Sequence, residues 1–215
     1  MLPLYLDRLD SERQEVFRKL KHFSRTFVLG GGTAIMLQIG HRLSYDFDCF
    51  SEKALPKSTP NTAYDVFGRD ITIRLQTRDQ VTLTTSRGVE LTFLCYPYKP
   101  LRKTLLTDSI SLFHLDDLAA NKAMTIGQRG TWRDYVDIFF LLKKKLYTLE
   151  NLVCLAEQKF AGMFSERLFL GQLVYFDDIS ITKTIFLKDF YSESEIKSLL
   201  EEKVEEYIKK KLPQK

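Results

Sequence analysis

The sequence predicts an α+β protein in which an α/β half precedes a helical half. Three observations carry this. Short β-branched runs alternate with glycine and proline breaks up to Pro100. Apolar residues recur at helical spacing from Leu115 onward. The character of the chain changes near residue 112, so the expected domains are 1–112 and 113–215.

Taking the elements in order, Ser11 to Ser24 reads as a helix, with Ser11 as its cap and Val16, Leu20 and Phe23 on one face. Thr26 to Leu29 is a short strand, broken by Gly30-Gly31-Gly32. Thr33 to Ile39 resumes as a helix that Gly40 ends. Ser44 to Phe50 alternates as a strand does, with Tyr45, Phe47 and Cys49 on one face and Asp46 and Asp48 on the other. Asn61 to Phe67 is a further helix. Ile71 to Gln76, Val81 to Thr85 and Val89 to Tyr96 are strands, the last two joined at Arg87-Gly88. Helices follow over Leu115 to Gln128, Trp132 to Lys145, Thr148 to Lys159, Glu166 to Leu173 and Ser192 to Lys211. Ser192 and Glu195 have the spacing of a capping box.

Composition narrows the function classes. A chain of 215 residues with 44% apolar and 28% charged residues suits a globular protein, and a net charge of +4 permits a nucleic-acid partner without demanding one. Three widely spaced cysteines, Cys49, Cys95 and Cys154, argue against a disulfide framework, and no Cys/His cluster suggests zinc. No apolar run approaches the roughly 20 residues of a membrane span, and the N-terminus lacks the pattern of a signal peptide. A cytoplasmic protein with no membrane partner is expected.

The chemistry is concentrated in FVLGGGTAIMLQIGHRLSYDFDCFS, Phe27 to Ser51. Glycines let a ligand approach the backbone, and a helix starting directly after them presents free N–H groups and a positive dipole end. Gly31, Gly32 and Thr33 therefore form a candidate phosphate site. Asp46 and Asp48 lie two residues apart on a strand and project to one side. Adjacent carboxylates repel unless a cation sits between them, and beside phosphate that cation is commonly Mg²⁺, or Mn²⁺ in its place. Two such ions about 3.5–4 Å apart activate an attacking hydroxyl and stabilise departing pyrophosphate. Taken singly, the glycines read as a turn and the Asp-Phe-Asp strand as a solvated face; together they are far more specific.

Gly31-Gly32-Thr33-Ala34, His41-Arg42, Ser44, Asp46-Phe47-Asp48 and Phe50-Ser51 resemble, without a gap, the motif of the AbiEii/AbiGii-type nucleotidyltransferases, many of which are toxins of toxin–antitoxin pairs. The resemblance implies a nucleotidyltransferase-like mixed sheet with the site at its edge and a helical C-terminal half. It also implies transfer of a nucleotide from a nucleoside triphosphate, in some members to the 3′ end of tRNA, and a possible antitoxin partner. A second block, DDLAANKAMTIGQRGTWRDYVDIFFL from Asp116 to Leu141, is similar to the family's later motifs. It offers Lys122 as a grip on the triphosphate, with Arg129 on about the same helix face to support it. Asp134 and Asp137 are candidates to orient Lys122 or to act as a base; for Arg133 and Asp137 an i, i+4 ion pair is the alternative. A third block, LVYFDDISI, resembles the family's C-terminal segment, with Asp177 and Asp178 expected to be structural.

Many members of the superfamily carry a third carboxylate on a later strand. Here Glu90 and Thr92 share one face of the candidate strand. If Thr92 takes the position where the acid usually lies, Glu90 is the candidate third metal ligand. Arg42 can reach a phosphate or an RNA acceptor, or lie on a surface loop. His22 and His114 are expected to be solvated or packing residues, and Trp132 to be core. Two alternatives stay open: transfer to a protein hydroxyl, and a decayed enzyme fold that binds nucleotide or a partner without catalysis.

Overall fold

The computed structural model describes residues 4–211 and divides after Leu115 into two compact units. The first holds α1 (Ser11–Lys19), β1 (Val28–Gly30), α2 (Gly31–Ile39), β2 (Phe47–Ser51), α3 (Thr59–Phe67), β3 (Thr72–Gln76), β4 (Gln80–Thr84) and β5 (Glu90–Cys95). Its sheet is mixed and five-stranded, in the order β1-β2-β5-β4-β3. Only β2 and β5 run parallel; every other neighbouring pair is antiparallel.

Apolar residues alternate along these strands, so Phe47, Cys49, Leu91 and Phe93 are fully buried while Asp48 and Thr92 leave the other face. Phe23, Phe27 and Phe93 pack ring against ring with centroids 4.6–6.3 Å apart, which seats the segment after α1 on the sheet. Beyond β1, Leu29 bridges Leu112 in parallel, so the chain near residue 112 covers that sheet edge.

Several element bounds differ from expectation, each for a local hydrogen-bonding reason. The cap of α1 is Asp10, whose carboxylate accepts from the Arg13 amide at 2.9 Å; Ser11 is already helical. After Lys19 the chain tightens into a 3₁₀ turn over Leu20–Phe23. The Thr26 and Phe27 amides donate back to the Phe23 carbonyl, so β1 begins only at Val28. The segment 44–46 is not strand, because side chains take its polar groups: Arg13 Nε donates to the Tyr45 carbonyl at 2.9 Å, and Thr33 reaches Ser44 and Asp46.

The second unit holds α4 (Leu115–Arg129), α5 (Trp132–Lys143), α6 (Leu149–Phe160), α7 (Glu166–Leu173) and α8 (Glu193–Lys211). Its helix starts follow sequence chemistry closely. Thr148 caps α6 by accepting from the Asn151 amide at 3.2 Å. Ser192 and Glu195 cap α8 reciprocally, with contacts of 2.8 and 3.3 Å. Ile196, Leu200, Val204 and Tyr207 form the buried stripe of α8, one residue per turn. Trp132 is buried and stacks on Tyr135. Tyr135 Oη donates to the Gln172 carbonyl at 2.9 Å, and Gln172 Nε2 donates to Asp178 at 3.2 Å, so Asp178 serves the packing of α7.

Candidate active site

The site in the first unit is built where β1 runs into α2. Gly30 pairs with Asp48 across the β1–β2 ladder, which holds the start of α2 against the acidic strand. Gly31 then turns the chain with φ +63°, a left-handed conformation that a residue with a Cβ adopts only at a cost. Space is as restrictive as conformation. A Cβ on Gly31 would stand 2.1 Å from Asp48 Oδ2 and 2.9 Å from the carboxyl carbon. The Asp48 carboxylate thus lies against the first residue of α2, where helical amides have no intrahelical acceptor.

Gly32 is equally confined, by the opposite wall. A Cβ there would meet Arg42 Nη2 at 2.7 Å and Ser44 Oγ at 3.1 Å. Arg42 is buried, at 2% exposure, and its Nη1 donates to the Leu43 carbonyl at 2.9 Å. Burial rules out the surface-loop alternative, and the guanidinium lies against the glycine turn at Gly32.

Thr33 is buried, and its hydroxyl is engaged within the protein. Oγ1 donates to the Asp46 carbonyl at 2.5 Å and lies 2.9 Å from Ser44 Oγ. Thr33 therefore ties the start of α2 to the residue that carries the first carboxylate. Ser44 belongs to the quoted motif, yet sequence reasoning assigned it no role; here it completes that tie. At the other end of α2, Gly40 takes φ +59° and its amide closes the helix on the Met36 carbonyl.

Asp46 and Asp48 are half-buried and alternate with buried Phe47 and Cys49. Burial pushes the Cys49 thiol well above its usual range, and the neighbouring Asp48 charge pushes in the same direction. Cys49 thus stays a neutral filler behind the acidic face. Cys95 and Cys154 are free thiols as well.

The β2–β5 register sets Thr92 directly beside Asp48, and Thr92 Oγ1 lies 3.3 Å from Thr82 Oγ1 on the next strand. Glu90 opens β5 at an exposed position, one same-face step away and opposite Thr84. Among the described residues, no three or more His, Cys, Asp or Glu side chains are grouped to hold a metal ion, so the structure does not gather Glu90 with the two aspartates. A carboxylate against a helix start, with a second aspartate two residues before it whose carbonyl Thr33 holds, is a fitting donor set. Mg²⁺ takes hard oxygen ligands and is commonly held by one or two carboxylates, with substrate phosphates and water completing the shell.

The candidates in the second unit form a cluster of their own. Lys122 on α4 is buried, and its ammonium contacts Asp134 Oδ1 at 2.5 Å and Asp137 Oδ2 at 2.7 Å, both on α5. Asp134 does double duty. Its Oδ2 accepts from the Thr131 amide and hydroxyl, each at 2.8 Å, which closes the first turn of α5. The Thr-x-x-Asp spacing that signals this cap stands in the sequence and was not read from it. Arg129 ends α4, and its side chain lies outside what the structure describes. A second buried pair, Lys159 Nζ with Asp117 Oδ1 at 2.8 Å, joins α6 to α4 with both side chains fully enclosed. Its members are 42 residues apart, and no periodicity points to it. His22 is exposed and His114 half-buried.

A family model described as "Nucleotidyl transferase AbiEii toxin, Type IV TA system" matches residues 16–210. An uncharacterized protein of Aquifex aeolicus (strain VF5) is 28% identical over 208 residues, covering 94% of this chain and 98% of that one. Among solved structures, a candidate nucleotidyltransferase from Helicobacter pylori superposes with a TM-score of 0.58 at 18% identity, covering 94% of this chain and 97% of its own. MenT4, a nucleotidyltransferase toxin of Mycobacterium tuberculosis H37Rv, superposes with a TM-score of 0.54 at 11% identity, covering 90% of this chain and 80% of its own. At such identities these structures speak for the fold.

Proposed function

The chain belongs to the AbiEii nucleotidyl transferase toxin family of type IV toxin–antitoxin systems, and from that premise we propose that it transfers a nucleotide from a nucleoside triphosphate to the 3′ end of an RNA, tRNA foremost. It acts in the cytoplasm, where both substrates are found, and a cognate antitoxin counters it. The observation that carries the reading is the Asp48 carboxylate set against Gly31 at the start of α2. One triphosphate can there meet helix amides and metal-binding oxygens together.

We assign the roles as follows. Amides at Gly31, Gly32 and Thr33 bind phosphate oxygens, aided by the positive end of α2. The Thr33 hydroxyl fixes the distance from that turn to Asp46. Arg42 supports the turn behind Gly32 and adds positive charge beneath the phosphates. Asp46 and Asp48 would hold the divalent ions, Mg²⁺ or Mn²⁺, which when bound neutralise the phosphates and lower the pKa of the attacking hydroxyl. That hydroxyl bonds to the α-phosphorus as the bond to pyrophosphate breaks. From the family resemblance we further assign Lys122, whose ammonium Asp134 and Asp137 hold in place, to the charge on the outer phosphates. Positioning and charge stabilisation account for most of the catalysis in such sites. In this reading Asp46 and Asp48 are the protein carboxylates that would hold the metal, and Glu90 is left out.

Among the described residues no helix is long and apolar enough to cross a membrane. The test is incubation of the protein with each α-labelled triphosphate, divalent metal, total RNA and total protein. Label in the tRNA band is the expected result, and the triphosphate that delivers it names the donor. Label in protein alone would replace the acceptor by a protein hydroxyl. Label nowhere would favour a nucleotide-binding module without catalysis.

A further inference from the structure

Phe190 is 79% exposed, on the irregular segment between α7 and α8. The residues around it are anchored. Phe186 meets the Phe190 ring edge-on, with centroids 5.6 Å apart and planes at 86°. Phe186 lies 5.8 Å from Phe140 of α5, and Tyr191 packs on Phe139 and Phe140 at 4.9 and 5.6 Å. The chain on both sides of Phe190 is thus fixed to a core helix while its own ring faces outward. A ring held in place before binding loses little conformational entropy when something stacks on it.

The surround is basic. The Lys143 ammonium sits 5.6 Å over the Tyr191 ring, and that of Lys144 sits 5.8 Å over Phe140. Lys183 lines the same cleft as Phe186 and Phe190, a space of about 720 Å³. Lys145 and Lys188 are exposed on the flanking segments. The nearby acids are Asp189, Glu193 and Glu195, and the Glu195 carboxylate is engaged by the Ser192 amide and hydroxyl at 2.8 and 2.7 Å. An exposed aromatic ring beside lysines is the chemistry of single-stranded nucleic-acid binding: a base stacks on the ring while ammonium groups follow the phosphates.

We propose that this face of the helical unit binds single-stranded RNA, with a base stacked on Phe190 and the phosphodiester backbone along Lys143, Lys144 and Lys183. The proposal rests on the RNA-acceptor reading above and deepens it by naming the surface that holds the acceptor. The lysines favour RNA over a protein partner here, because a polyanion matches them all along its length.

The test uses the full chain and a fluorescently labelled single-stranded oligoribonucleotide, without triphosphate, followed by anisotropy over a salt series. Phe190→Ala should weaken binding about tenfold, while Phe190→Trp, which keeps a stacking face, should bind as wild type does. Lys143→Gln should lower the slope of log affinity against log salt by roughly 0.7. Binding of Phe190→Ala within about twofold of wild type would overturn the proposal, as would Phe190→Trp failing alongside it. Retained RNA binding by Phe190→Ala together with loss of a co-purifying protein would turn the face over to a protein partner. Labelled transfer run in parallel separates the two levels. Label in RNA, with Phe190→Ala binding normally, sinks this surface alone. Label confined to protein sinks the acceptor reading and this surface with it.

Discussion

The Asp48 carboxylate occupies the space that a side chain on Gly31 would fill, 2.1 Å from where its Cβ would stand. Gly31→Ala therefore meets two obstacles. Alanine at φ +63° costs about 1–2 kcal/mol, and its methyl group must push Asp48 aside. The expected outcome is loss of nucleotide transfer together with a fall in Tm of several degrees. Gly171→Ala is the control: it lies within α7 with nothing near its Cβ position, so it should keep activity and gain about 0.5–1 kcal/mol. Thermal melts and transfer assays on both variants check the pair.

Lys122→Met removes the counter-charge of two enclosed carboxylates, Asp134 and Asp137. Breaking a buried pair in this way costs about 3–5 kcal/mol. If Lys122 also contacts the triphosphate, the double variant Lys122→Met/Asp137→Asn should recover part of the stability and none of the nucleotide affinity. Calorimetric titration with nucleoside triphosphate, beside a thermal melt, separates the two roles. Recovery of both would reduce Lys122 to a tie between α4 and α5.

Glu90→Gln should leave the transfer rate within about threefold of wild type, as expected of an exposed group that the proposed mechanism does not use. A loss of a hundredfold or more would show Glu90 acting as the third acid, since removal of one essential charged contact has an effect of that size.

On the acid side, Glu166 ties α7 to α8. Its carboxylate accepts from Lys211 Nζ at 2.7 Å and from Tyr207 Oη at 2.9 Å, and the Lys211 hydrogen bond is the first cause that lowers its pKa. A carboxyl group with a depressed folded pKa contributes stability that is complete above its unfolded value of about 4.3. That contribution is lost as pH falls through the lower, folded value. Glu166→Gln should lower Tm slightly at pH 7, and the difference from wild type should shrink below about pH 4. Melts over a pH series check the sign.

Much of this was legible beforehand, and the reasons differ by region. The glycine turn and the place of Asp48 were readable because their physics is local: glycine frees the turn, and strand periodicity sets Asp48 off the buried face of Phe47 and Cys49, whereas Asp46, expected on the same strand, lies just before it. Helix starts at Thr148 and Ser192 were readable for the same reason. What was not legible depends on distant residues. Arg42 looks from its neighbours like a loop residue, and only the folded chain buries it behind Gly32. Thr33 looked like a hydroxyl for phosphate, yet the return of the chain at Ser44 and Asp46 gives it partners within the protein. The position of Thr92 beside Asp48 depends on a parallel pairing across some 40 residues, which no local pattern specifies. The Lys159–Asp117 pair is the extreme case, two charges with no sequence signal between them.

The most direct measurement is the transfer rate of Asp48→Asn with saturating triphosphate and metal, taken alongside its melting curve. Asparagine keeps the shape that fits against Gly31 and removes the charge. The account expects a rate at least about a hundredfold below wild type with a near-normal Tm. A folded variant that still transfers nucleotide at the wild-type rate would contradict it.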